Sequence, residues 1–252
     1  LYFGIYPKAR LYAYNTQEPW DLKKQNPKFL GQIPEQDRPF AVLGLKSSNS
    51  VLFGTVPTYG HLGGALVHYD IKSNRLQTFK DIIHKQSIIS LAEHNDLVIG
   101  GTSIFGGLGS VPTEKEAKLF GWNPKTNQKV FELVPVQGAM SLTGLRKGPD
   151  GNIWAFADGD LIVFDPVKQN VISKTEVFKI NSRPTHIWRS AFIEVHPNGN
   201  VYFAVNGRLY KIDPATMEIS IIQENVSLLT MGKDGKLYFR RNSDLWSYQP
   251  EN

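Results

Sequence analysis

Apolar and aromatic residues in this chain alternate with polar ones in short runs, and the runs come in pairs. The pairs are LYFGIY…LYAYN (1–15), VLFGTV…LVHYD (51–70), LVIGGT…LFGWN (97–123), IWAFADGDLIVFD (153–165), VYFAVNGRLYKID (201–213) and LYFRRNSDLWSYQ (237–249). Period-two alternation with β-branched and aromatic enrichment predicts β-strands, and no segment keeps a helical period. Before every pair except the first comes a further apolar strand and a polar turn, as in LTGLRKGPDGN (142–152) and FIEVHPNGN (192–200). After most pairs comes a turn such as DPAT or NPKT and then a fourth strand. PDG, PNG and KDG mark the first kind of turn, and Asp-Pro or Asn-Pro marks the second.

The unit is therefore four antiparallel strands, A-B-C-D, repeated at intervals of roughly 35 to 55 residues, the range of propeller blades. The expected fold is all-β, a β-propeller of four-stranded antiparallel blades with six repeats visible. The repeats lie near 1–33, 40–83, 88–134, 140–178, 190–223 and 227–249, in a single domain spanning 1–252. A β-sandwich is the minor alternative, but it leaves the regular Asp-Pro turns unexplained. The first repeat lacks strand A and the last stops at strand C. That predicts a piece of a longer chain, completing a ring of about seven blades. A compact six-bladed ring with two three-stranded blades is the competing reading.

The phrase VYFAVNGRLYKIDPAT resembles the repeat of YVTN-type bacterial propellers. IWAFADGDLIVFD with its upstream GPDGN resembles the streptogramin-lyase and NHL-like propellers. The resemblance covers essentially the whole chain as a blade pattern, and it implies the fold rather than a reaction. Several polysaccharide lyases acting on uronic acids are similar to this chain in architecture, which is an analogy of fold only.

Loop lengths differ between the two kinds of connection. The A–B and most C–D turns are short. The B–C loops of repeats one to three, YPKAR, VPTYGHLGG and TSIFGGLGSVPTEKEA, are long, whereas those of repeats four to six, ADGD, VNGR and RRNSD, are tight. A loop longer than its fold requires is usually functional. The site is therefore expected on the face carrying the B–C and D–A loops, toward repeats one to three. Its catalytic candidates are His61, Tyr59, His186 and Arg189, and its ligand-binding candidates are Tyr6, Arg38, Phe105, Trp188 and His84. An arginine fork suits a carboxylate. The tyrosines and Phe105 hold equivalent loop positions and suit sugar rings, although they equally suit a lid over the core. His68, in a strand, is expected to be a satisfied sheet histidine, and His196, in an A–B turn, a structural one.

Composition narrows the chemistry. The chain has 252 residues and no cysteine, which removes thiolate nucleophiles, disulfides and Cys-ligated zinc. Its formal net charge is +5, but the lysines are scattered and form no basic stripe, so nucleic acid is not an expected partner. No apolar run is long enough to cross a bilayer as a helix. GGTSIFGGLG (100–109) lacks the Lys-Ser/Thr and the helix of a phosphate-binding loop. Three histidines on one face admit a divalent metal, but their spacing matches no metal motif, so no metal ligand is assigned and the cofactor is left open. No nucleophile motif is present.

Two functional expectations follow. One is a propeller that binds, and in a lyase-like manner cleaves, an anionic carbohydrate. The other is a non-catalytic interaction or sensor module of a larger protein, with the other domains of that chain as partners. An extracytoplasmic location is slightly favoured.

Overall fold

A computed structural model describes residues 1–45, 48–180, 184, 186–188, 189–190 and 191–251. Lys46, Ser47, the Asn181–Arg183 segment, Thr185 and Asn252 lie outside the described residues. The chain divides into two compact units, 1–142 with 184–188, and 143–183 with 189–252.

Unit 1 holds three antiparallel sheets. The first is β1 (Tyr2–Ile5), β2 (Arg10–Ala13) and β3 (Lys28–Gln32), with a short 3-10 turn at Leu22–Lys24. The second is β4 (Gln36–Leu45), β5 (Ser50–Pro57), β6 (Ala65–Asp70) and β7 (Arg75–Lys80). The third is β8 (Ser87–His94), β9 (Leu97–Ser103), β10 (Leu119–Asn123) and β11 (Gln128–Leu133). Unit 2 begins with β12 (Leu142–Lys147), β13 (Ile153–Ala157), β14 (Asp160–Asp165) and β15 (Asn170–Glu176). It continues with β16 (Ala191–Val195), β17 (Val201–Val205), β18 (Arg208–Ile212) and β19 (Ile219–Glu224). It ends with β20 (Val226–Met231), β21 (Leu237–Arg241) and β22 (Asp244–Tyr248). Each sheet is one A-B-C-D repeat. Among the described residues the first has no strand A and the last no strand D, as the sequence pattern predicts.

The central strands β5 and β17 are apolar on both faces because their sheets are covered on both sides. In β5, Val51 and Phe53 pack with Leu11, Val67 and Tyr69 toward the first sheet. Leu52, between them, packs with Leu66, Ile88, Val98 and Phe120 toward the third. β17 does the same in unit 2. Val201, Phe203 and Val205 join Trp154 and Phe156, while Tyr202 and Ala204 join Val226, Leu237 and Phe239. The two-residue period of a strand sends alternate side chains into different interfaces. Outer strands need no such pattern, and β15 alternates exposed with half-buried.

The turn residues that mark the repeat have local jobs. At the A–B turns, Asp150, Asn198 and Asp234 accept the backbone N–H two residues on, and the intervening glycines 151, 199 and 235 take φ of 81, 88 and 78°. At the C–D turns, Asp70, Asn123, Asp165 and Asp213 accept backbone N–H groups of the turn. These are Asx turns, which explains why strand C ends in Asp or Asn. His196 is buried: its Nε2 donates to the Gly235 carbonyl at 2.9 Å and its Nδ1 accepts from Asn198 N–H at 3.1 Å. His68 is also buried and lies 2.8 Å from Asn127 through Nδ1, but its Nε2 has no partner.

One expected boundary is wrong. PEQDRP reads as a D–A loop, yet β4 already begins at Gln36 and pairs Gln36 with Pro57 and Arg38 with Val56. Two register shifts, at Gln36/Arg38 and Pro39/Ala41, let the strand run through a proline. A bulge is where a sheet tolerates a residue without an N–H.

Candidate functional site

The site is built where β4 and the long loops of unit 1 meet. The bulged start of β4 presents Arg38. Its guanidinium carbon sits 4.5 Å from the centroid of the Tyr6 ring, 5.1 Å from that of Tyr59 and 5.0 Å from that of Trp188. A guanidinium within about 6 Å of a ring face is attracted by the ring quadrupole. Arg38 also donates through Nη2 to the Tyr59 hydroxyl at 3.2 Å, and the Tyr6 and Tyr59 hydroxyls are 3.3 Å apart. Its Nη1 is shielded from solvent and has no hydrogen-bond partner. Among the described residues no carboxylate forms an ion pair with Arg38. The neighbouring Asp37 is buried and accepts Lys8 N–H instead.

Tyr6 and Tyr59 remain 53% and 52% exposed, whereas Trp188 is 9% exposed. Trp188 is held from below. Its indole N–H donates to the Gly106 carbonyl at 3.1 Å, and its ring packs with Phe105, Val56, Ile89 and Ile104. Phe40 lies 5.6 Å from it and the His186 ring 4.7 Å, so His186 lies against the indole. His186 is exposed.

The loop that carries Tyr59 is fixed by its neighbour. His61 N–H bonds to the Thr58 carbonyl, Gly107 N–H to the His61 carbonyl at 2.9 Å, and Gly60 N–H to the Leu108 carbonyl at 2.9 Å. A Cβ on Gly106 would stand 2.2 Å from the His61 carbonyl oxygen, and one on Gly107 would stand 1.9 Å from that of Thr58. The glycines of GGLG therefore permit two loops to touch backbone to backbone. That is their role in this fold, in place of the phosphate cradle their pattern superficially suggests.

A buried polar device lies under both loops and occurs twice. Thr55 accepts Ala65 N–H and donates to Gln36 Oε1 at 2.7 Å, and the Gln36 amide donates to the Gly63 carbonyl. In the third sheet Thr102 accepts Lys118 N–H and bonds to Gln86, whose amide donates to the Glu116 carbonyl. Each Gln–Thr pair pins the C-terminal end of a long B–C loop with every buried group satisfied. Sequence reasoning missed these pairs. A Gln at the start of strand A with a Thr near the end of strand B, in repeats two and three only, was the available signal.

Of the expected site residues, the structure gathers Tyr6, Arg38, Tyr59, His186 and Trp188. Phe105 is 4% exposed and belongs to the packing beneath Trp188, so it offers no face to a ligand as it stands. His61 is exposed on the same loop as Tyr59. His84 is exposed and bonded to Asp81 at 3.0 Å. Arg189 belongs to unit 2, with its guanidinium 6.0 Å from the Phe192 ring centroid. Among the described residues no three His, Cys, Asp or Glu side chains are grouped to hold a metal ion, and no helix is long and apolar enough to cross a membrane.

The hydrogen bond from Tyr6, reinforced by that from Arg38, lowers the pKa of the Tyr59 hydroxyl, and the same bond raises that of Tyr6. Alkaline difference spectra should therefore show Tyr59 ionising before Tyr6. Tyr59→Phe should remove the earliest tyrosinate signal, and Tyr6→Phe or Arg38→Gln should move it to higher pH. An unchanged early signal in Tyr59→Phe contradicts the assignment.

No protein-family model matches the chain, and no curated protein matches it. Solved structures do. A mitotic checkpoint complex structure contains a chain with a TM-score of 0.70 at 11% identity, matching over 99% of this chain and 70% of that one. The extracellular domain of a protein described as a hybrid two-component system from B. thetaiotaomicron has a TM-score of 0.60 at 11% identity. A second structure, of the extracellular domain of a one-component system from the same organism, gives 0.60 at 12%. The chain spans about a third of either bacterial domain, 31% and 33%. Identities this low bear on the fold alone. Together with the repeated antiparallel sheets they place the chain in the β-propeller class.

Proposed function

We propose that unit 1, on a blade scaffold of the YVTN and streptogramin-lyase type, binds an anionic carbohydrate at Tyr6, Arg38, Tyr59 and Trp188. One observation carries the reading: a cation with no ion-pair partner among the described residues, enclosed by three aromatic rings, two of them half exposed. The tyrosine faces suit the apolar side of a sugar ring, and a guanidinium such as that of Arg38 suits a carboxylate. His186 and His61 border the cluster's rings and loop and would contact flanking units.

Cleavage is the further step this arrangement permits. Arg38 neutralises the uronate carboxylate, which acidifies the adjacent C–H. Tyr59, as tyrosinate, takes that proton. The β C–O bond breaks, a C=C bond forms, and the departing oxygen takes a proton from the Tyr6 hydroxyl.

The test is calorimetric titration of uronic-acid oligosaccharides against neutral oligosaccharides of the same linkage. Binding should require the acid and should weaken on the order of 10- to 100-fold in Arg38→Gln, the range for loss of a charge-assisted hydrogen bond. Equal binding of the neutral sugar, or no change in Arg38→Gln, overturns the reading. Turnover would show as ultraviolet absorbance of the unsaturated product, absent in Tyr59→Phe.

A second reading is a protein-interaction surface. Arg, Tyr and Trp are the residue types that dominate interface hot spots, and here they are clustered and partly exposed. It gains if no acidic or neutral sugar binds while Arg38→Gln still weakens capture of a protein partner.

A further inference from the structure

The turn that presents Tyr6 joins β1 to β2 through residues 6–9, and it is an awkward one. Its last two residues, Lys8 and Ala9, take left-handed φ of 70 and 40°. Neither is a glycine. Residues with a Cβ are uncommon in that region and stay there only where the surrounding structure fixes them.

Asp37 does the fixing. It is the extra residue of the β4 bulge, since Gln36 pairs with Pro57 and Arg38 with Val56 across the register shift. A bulged residue is released from the ladder and can be aimed elsewhere. Asp37 turns both of its acceptors to the 6–9 turn. Its Oδ1 accepts Lys8 N–H at 3.0 Å, and its carbonyl accepts Ala9 N–H at 3.1 Å. Both left-handed residues are thus bonded to one anchor. Ile33 N–H donates to the Ala9 carbonyl at 3.3 Å, Ala9 is fully buried, and Asp37 is 7% exposed. Tyr6, two residues before Lys8, is thereby held with its hydroxyl 3.3 Å from that of Tyr59.

We propose that Asp37 is a positioning residue of the tyrosine–arginine cluster: its carboxylate ties the 6–9 turn to β4, which keeps the Tyr6 hydroxyl on Tyr59. What the cluster is for rests on the sugar-binding reading, but the positioning can be tested without a sugar.

The anchor and the charge of Asp37 act on Tyr59 with opposite signs. The Tyr6 hydrogen bond, which the anchor maintains, is the largest influence lowering the pKa of the Tyr59 hydroxyl, and the Arg38 bond is the next. The negative charge of Asp37 raises it.

The experiment is an alkaline ultraviolet titration of the full chain, with a melting curve to show that each variant is folded. Asp37→Asn keeps an oxygen for Lys8 N–H and removes the charge. Its early tyrosinate midpoint should move to lower pH, and by less at high salt. Asp37→Ala removes the anchor as well. Its midpoint should rise by on the order of half a pH unit, the scale of one hydrogen bond. Exchange of the Lys8 amide should be slow in the wild type and in Asp37→Asn, and fast in Asp37→Ala. Should Asp37→Ala fail to fold, Asp37→Glu takes its place. It keeps the charge but displaces the oxygen, so its midpoint should also rise. Asn and Ala (or Glu) midpoints that move in the same direction overturn the proposal. So does slow Lys8 exchange in Asp37→Ala. Opposite shifts in a protein that binds no uronic acid support the positioning and sink the sugar reading, whereas parallel shifts in one that does bind it do the reverse.

Discussion

Replacing Trp188 with alanine should destabilise unit 1 by about 3–5 kcal/mol, the usual range for removing a large buried aromatic side chain. Three separate losses converge on this position. The packing against Val56, Ile89, Ile104 and Phe105 becomes a void. The Gly106 carbonyl loses the indole N–H it accepts at 3.1 Å. Arg38 loses one of its three ring faces, an interaction of about 0.5–2 kcal/mol depending on how dry it is. Chemical denaturation followed by tyrosine and tryptophan fluorescence measures the first two. The third appears in the tyrosine titration, because an arginine no longer held over the indole should donate less well to Tyr59. Trp188→Phe restores most of the volume but not the N–H, so it should recover part of the stability. A Trp188→Ala protein that unfolds at the wild-type midpoint would mean that the indole carries none of this packing.

Gly107→Ala should act on the same site from the opposite side. Its backbone is not in the left-handed region, so alanine is conformationally acceptable there, and the cost is steric. The new methyl would lie 1.9 Å from the Thr58 carbonyl oxygen, with backbone also on the Pro57 side. Backbone cannot swing away as a flexible side chain can, so the two loops must part. Overpacking of this kind costs about 1–3 kcal/mol. The distinctive consequence lies at Tyr59, one residue from the clash. The Gly107 N–H to His61 carbonyl bond and the Gly60 N–H to Leu108 carbonyl bond should both be lost. Hydrogen exchange at those two amides should accelerate, and the early tyrosinate signal should move up. Gly109→Ala is the control for space, since a Cβ there meets nothing within 4 Å, although its φ of 80° still carries a backbone cost. Wild-type exchange at Gly60 and Gly107 in Gly107→Ala would refute the steric account.

Both substitutions act on the site through its supports. The Tyr–Arg–Tyr arrangement is exposed and made of long side chains, which hold a geometry only if their backbones are fixed. Three devices fix them: the bulged start of β4, the Gln36–Thr55 pair, and the contact between loops 58–64 and 104–118.

The sequence alone determined the strands, their grouping in fours, the missing strands at the two ends, and the Asx and glycine turns. These follow from short-range physics. A period of two, Asp or Asn at a strand end, and Gly after Pro-Asp or Pro-Asn act within a few residues and are printed in order along the chain. The sequence also led to the expectation of Tyr6, Arg38, Tyr59, His186 and Trp188 on one loop face, together with His61, His84, Phe105 and Arg189, because loops longer than the repeat requires stand out against their shorter copies. Tertiary structure decided the rest. Whether an aromatic loop residue faces solvent like Tyr59 or the core like Phe105 depends on what packs beneath it, and the two are indistinguishable as letters. That Arg38 stacks on three rings contributed by three distant segments, while Arg189 belongs to the other unit, depends on contacts between residues tens to hundreds of positions apart. No local pattern encodes such contacts, because the free energy that selects them is earned only when the sheets have already packed.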